Sequence, residues 1–134
     1  MKSKNMLVAF AAASLLTLAG SARAADLYVI ANPGTTVSPA DVRDIFFGEK
    51  QFSGTVKYVP VDNTAAQEDF LAKVMKMDLA KYNAAWTKKS FRDGVNPPTI
   101  KGGDSETIEF VKHTPGAVGY VGTSAAGVTV VGKF

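Results

Sequence analysis

The chain has 134 residues, with 15 Lys+Arg against 12 Asp+Glu, one His and no Cys. That inventory excludes a disulfide scaffold and a cysteine-ligated zinc centre, and it leaves nucleophilic triads, which lean on His or Cys, with His113 alone. The excess of base belongs to the start of the chain: Lys2, Lys4 and Arg23 fall within residues 1–24, and residues 25–134 hold 12 basic and 12 acidic side chains, so there is no electrostatic footprint for nucleic acid.

Lys2 and Lys4 precede an apolar run from Met6 to Gly20, and Ser21-Ala22-Arg23-Ala24-Ala25 follows with small residues. A charged n-region, an apolar h-region and an Ala-x-Ala site predict a secretory signal peptide over residues 1–24, cut after Ala24. A membrane anchor would need about 20 apolar residues without a cleavage pattern. No Cys follows the cleavage region, which closes the lipoprotein route. The expected mature domain is 25–134, in the periplasm, one core held by packing alone.

Asp26 to Ala31 opens the domain as a short apolar run of strand length, stopped by Asn32-Pro33-Gly34. Ser38-Pro39-Ala40-Asp41 reads as a helix start with Pro at the first position and an acid in the first turn. That helix carries Val42, Ile45 and Phe46 inward and ends near Gly48. Lys57 to Val61 is a second strand, in which Pro60 points to an edge or a strand end because it cannot donate to a ladder. Ala66, Phe70, Leu71, Val74 and Met75 then recur at helical spacing.

Asp78 is placed to cap a third helix with Leu79, Tyr82 and Trp86 inward, and Lys88, Lys89 and Arg92 suit its C-terminal dipole. Trp86, Tyr82 and Phe91 would also make a stacking platform, but at this spacing aromatics more often pack into a core. Gly94 stops the helix, Asn96-Pro97-Pro98 forces an extended crossing, and Asp104 caps a short helix carrying Ile108 and Val111. Ala117 to Val121 and Val128 to Val131 complete about four strands. Strands separated by helical segments imply crossovers, hence an α/β domain with a largely parallel or mixed sheet flanked by helices.

Catalytic and metal-binding residues are expected to be none. His113, in the last turn of a helix before Thr114-Pro115-Gly116, reads as a solvent-facing residue favoured by the dipole, and Asp41 with Asp44 as acids at a helix start. Helix N-termini are the better candidates. Asp62-Asn63-Thr64-Ala65-Ala66 offers backbone N–H groups together with an amide and a hydroxyl, and Gly102-Gly103-Asp104-Ser105 does the same further along. In both, the competing reading is an Asp or Thr that caps its own helix.

The order of motifs adds to this. Ser38-Pro39-Ala40-Asp41-Val42-Arg43-Asp44-Ile45-Phe46-Phe47-Gly48-Glu49-Lys50, then Tyr58-Val59-Pro60-Val61-Asp62, then Ser105 to Val111 and Pro115-Gly116-Ala117-Val118-Gly119-Tyr120-Val121, resemble the phosphate-binding subunits of bacterial ABC transporters. The resemblance implies a type II periplasmic-binding-protein-like domain. That family has two α/β lobes closing on ligand, and 110 residues suffice for one; the segment order resembles the second lobe. Where the family carries an Arg-bearing strand and a Ser-Gly-Thr turn around phosphate, this chain has Pro60 and Val61, then Thr64-Ala65-Ala66, which leaves uncharged donors only.

Two functions stay open. One is an exported periplasmic solute-binding-like protein that holds a small oxyanion such as phosphate weakly, with Asp62, Asn63, Thr64, Gln67 and Ser105 as ligand-binding residues. Its partner would be an ABC permease, another periplasmic or membrane protein, or a second copy in a homodimer. The other is a non-catalytic interaction or accessory module that has lost ligand binding and acts through a protein partner. Neither calls for a cofactor, a metal or a nucleic acid.

Overall fold

The computed structural model describes residues 26–134, so the signal peptide expected over residues 1–24 lies outside the described residues. In chain order, β1 (Tyr28–Ala31) leads through a single 3-10 turn (Pro39–Asp41) into α1 (Val42–Phe46) and a small hairpin of β2 (Phe52–Ser53) and β3 (Val56–Lys57). Then come β4 (Val59–Asn63), α2 (Gln67–Phe70) continuing as a π-turn (Leu71–Met75), α3 (Leu79–Asp93) and β5 (Thr99–Lys101). The chain ends with α4 (Asp104–His113), β6 (Ala117–Val121) and β7 (Thr129–Lys133). Among the described residues no helix is long and apolar enough to cross a membrane.

The main sheet has the order β5-β4-β6-β1-β7. β4 runs parallel to both β5 and β6, while β1 runs antiparallel to β6 and β7. The protein is thus an α/β domain built on a five-stranded mixed sheet flanked by helices. The parallel pairs follow from the helical connections, α3 between β4 and β5 and α4 between β5 and β6, because parallel strands need a crossover. Parallel direction also brings the carboxyl ends of β4, β5 and β6 to one edge, where α/β sheets open a crevice.

Side chains alternate across the sheet and build two cores. Val29, Val118 and Tyr120 face α1, the π-turn and α3, joining Phe46, Phe70, Met75 and Trp86. The Phe70 and Tyr120 rings stack at 4.0 Å with an interplanar angle of 6°, and Phe46 tilts against Phe70 at 4.7 Å. Ile30, Ala117 and Val121 face the other way, onto Val111 and Ile108 of α4. β6 is buried throughout, as a strand covered on both faces must be. α4 lies so close that a Cβ on Gly119 would stand 3.0 Å from the Thr107 methyl.

Several expectations change. The sheet has five strands rather than about four, because Thr99–Lys101, just after the Asn96-Pro97-Pro98 crossing, is an edge strand. Three residues with Ile100 left 65% exposed carry no alternation to read. Pro60 sits in an interior strand: its missing N–H faces the β5 side, where pairing begins only at Val61. Tyr82 and Trp86 point inward, but Leu79 is 48% and Phe91 95% exposed. Phe91 lies nine positions after Tyr82 in the helix, two and a half turns, which sets them on opposite faces. Asp78 does cap α3, its Oδ1 accepting from the Lys81 N–H at 2.8 Å.

Candidate functional site

The carboxyl edge of the sheet is built by strand parity. Val61 and Asn63 face α4, and Asp62 between them faces the aromatic core, so the two polar residues at the end of β4 diverge. Asp62 is 2% exposed. Both its carboxylate oxygens accept hydrogen bonds, Oδ2 from the Tyr82 hydroxyl of α3 at 2.8 Å and Oδ1 from the Tyr120 hydroxyl of β6 at 2.9 Å. Burial pushes the Asp62 carboxyl up to about 6, against the pull of the two hydroxyls that favour its ionised form. Burial and the neighbouring Asp62 charge hold both tyrosines well above their ordinary range, so each stays a donor.

Asn63, fully buried, serves the opposite face. Its Nδ2 donates to Asp104 Oδ1 at 2.7 Å and to the Tyr120 carbonyl at 3.0 Å, and its Oδ1 accepts from the Ala65 N–H at 3.1 Å. The next backbone donors are also engaged: Thr64 N–H reaches the Lys101 carbonyl at 3.0 Å and Ala66 N–H the Asn63 carbonyl at 3.1 Å. Asp104 lies at the first position of α4 and does not cap it. Its carboxylate ties three elements together, because Oδ2 also takes the Gly122 N–H at 3.1 Å and the Thr123 hydroxyl at 3.4 Å.

The remaining expected residues face outward. Thr64 and Gln67 line an open cleft of about 870 Å³ between the β4 turn and the start of α3. Met77 and Leu79, with Leu71 buried behind them, give this cleft an apolar wall, and Glu68 and Lys76 stand on it as well. Ser105 is exposed at the start of α4 and does not line the cleft. The structure therefore brings Asp62 and Asn63 together with Tyr82, Tyr120 and Asp104, and brings Thr64 and Gln67 together with Lys76, but it does not gather all five residues in one place. His113 is exposed and meets Glu109 at 3.3 Å on the same helix.

Sequence reading missed Tyr82 and Tyr120 as partners of Asp62, and it missed Lys76. A carboxylate inside a strand flanked by buried valine must find donors, and inward tyrosines were the available ones. Lys76 adopts φ 57 and ψ 43, the left-handed region, at the end of the π-turn. Glycine usually holds that position, so a lysine there gives no signal to a reader of sequence.

No family model matches the chain, and no curated protein matches it. Among solved structures the chain is similar to an ABC-type phosphate transport receptor from Vibrio cholerae, at 16% sequence identity and a TM-score of 0.49, over 81% of this chain and 46% of that one. The chain spans less than half the length of that receptor, and a likeness at this level carries over neither ligand nor partner.

Proposed function

We propose that the protein is a non-catalytic binding module of the solute-binding type, a single α/β lobe exported to the periplasm, which meets its target beside the β4 turn rather than gripping phosphate within it. The observation that supports this reading is the state of the turn's donors. The Asn63 amide and the Thr64, Ala65 and Ala66 N–H groups all have partners inside the protein. An anion would have to break those bonds, and it would approach Asp62 and Asp104 without an arginine to offset them.

Titration of residues 25–134 with phosphate, followed by calorimetry and thermal denaturation, tests this. The expected result is no heat of binding and no shift in Tm at millimolar phosphate. Saturable binding that disappears in Asn63→Ala, with the fold intact by circular dichroism, would overturn it. A second reading, weak oxyanion contact from the surface, draws support from Thr64 and Gln67 opening on the cleft. It expects a phosphate response that Thr64→Ala abolishes. If the target is a second copy of the chain or a permease, light scattering of the protein alone and mixed with that permease separates the two.

A further inference from the structure

The cleft beside the turn combines an apolar wall, charges of both signs and an irregular backbone. Its apolar wall is presented by Met77 and the half-exposed Leu79, with Leu71 buried behind them. Around that wall the Thr64 hydroxyl, the Gln67 amide, the Glu68 carboxylate and the Lys76 ammonium make no side-chain hydrogen bond or ion pair with any described residue. Asp78, also on the rim, has one oxygen on the Lys81 N–H. Some opposite charges elsewhere find one another, as Lys50 does Asp41 at 2.6 Å and Arg92 does Asp93 at 3.0 Å, whereas Glu68 and Lys76 face the cleft.

The backbone is irregular at the same place. The π-turn Leu71–Met75 runs into Lys76, whose positive φ is the only one among the described residues that are not glycine. Single π-turns recur at functional sites, and strained residues persist where the surrounding structure holds them. Here the strained residue is the one that brings a cation to the cleft.

Charge decides among ligands. An oxyanion would meet two carboxylates, Glu68 and Asp78, for one ammonium, and a plain cation would meet Lys76. We infer that the cleft takes a small apolar zwitterion, an apolar amino acid or short apolar peptide, whose carboxylate is held by Lys76 with Thr64, whose ammonium is held by Glu68, and whose side chains lie on Met77 and Leu79. The volume of about 870 Å³ is within the range of small-molecule sites and admits more than one residue. The assignment rests on the reading of the protein as a binding module and names what it binds.

Calorimetry and thermal shift with leucine, dileucine and trileucine test it, with N-acetyl-leucine and leucinamide as analogues that lack one charge each. At least one zwitterion is expected to bind saturably, and each capped analogue at least ten-fold more weakly. Glu68→Gln should lose ten-fold or more in affinity. Lys76→Gly should lose at least as much while raising the Tm of the free protein, because glycine accepts positive φ without strain. Silence from all three zwitterions, equal binding of a capped analogue, or unchanged affinity in Lys76→Gly would overturn the inference. Phosphate, run beside them, keeps the two readings apart: phosphate binding lost in Asn63→Ala defeats the proposed function, whereas silence from the zwitterions alone defeats only the assigned ligand.

Discussion

The last two residues of β4 and the segment from Thr64 to Lys76 are continuous in sequence and opposite in their treatment of polar atoms. At Asp62 and Asn63 the carboxylate and amide are buried, and each has partners on other elements. At Thr64, Gln67, Glu68 and Lys76 the side chains open on a cleft and bond to no described residue. A buried polar group without a partner is costly, so the strand end has little freedom to bind anything else. The side chains of Thr64, Gln67, Glu68 and Lys76 have no such constraint. Residues of similar chemistry, one position apart, thus divide into a structural set and a set free to meet a ligand.

Breaking the structural side should have the largest effect. Asn63→Ala removes three hydrogen bonds, leaves the buried Tyr120 carbonyl without its side-chain donor and unties β4 from α4. We expect a loss of about 3 to 4 kcal/mol, since each unsatisfied buried group costs roughly 1–3 kcal/mol. Urea denaturation at neutral pH measures it. A loss below about 1 kcal/mol, the scale of a single net hydrogen bond, would mean that Asn63 does not hold the strand end.

Asp62 gives the next effect, and its sign is set by burial. Burial pushes the folded carboxyl up to about 6 from its ordinary value of 3.8. Between those values the native state keeps a proton that the unfolded chain has released, so the contribution of this group to stability falls as pH rises through the window. Below the window the folded and unfolded states are both protonated and the penalty is absent; above about 6 it is complete, on the order of 3 kcal/mol at most. Asp62→Asn keeps an acceptor for one tyrosine and offers an N–H to the other, and it does not titrate. The stability of Asp62→Asn relative to the natural protein should therefore rise between pH 4.5 and 7.5 in denaturant titrations. A difference that stays flat, or runs the other way, would contradict the buried, ionised carboxylate.

How much of this was legible in the sequence depended on whether the signal was local. The α3 cap at Asp78 and the inward pair Tyr82 and Trp86 follow from spacing within one helix. Leu79 and Phe91 were misplaced because apolar character does not decide which turn of a helix is covered, and too few elements pack on α3 to cover it all. β5 and the β2–β3 hairpin escaped because strands of two or three residues have no period. At the site, Asp62 and Asn63 were visible as polar residues near a turn, but their roles were not. Their partners are distant: Tyr82 lies 20 residues from Asp62, Tyr120 58 residues from it, and Asp104 41 residues from Asn63. Only strand parity and the pairing of β4 with β6 reveal that the donors point inward.

The smallest effect sharpens the comparison from the open side. The Thr64 hydroxyl and Gln67 amide make no side-chain hydrogen bond with described residues, and Thr64 holds the sheet through its backbone N–H on the Lys101 carbonyl, which alanine retains. Thr64→Ala combined with Gln67→Ala should change stability by no more than about 0.5 kcal/mol, the scale of surface substitutions. The same denaturant titrations used for Asn63→Ala measure it. A cost approaching that of Asn63→Ala would show that the turn is structural along its whole length. A near-zero cost, beside a large one a single residue earlier, would locate the boundary between the fold and its free surface at the Asn63–Thr64 bond.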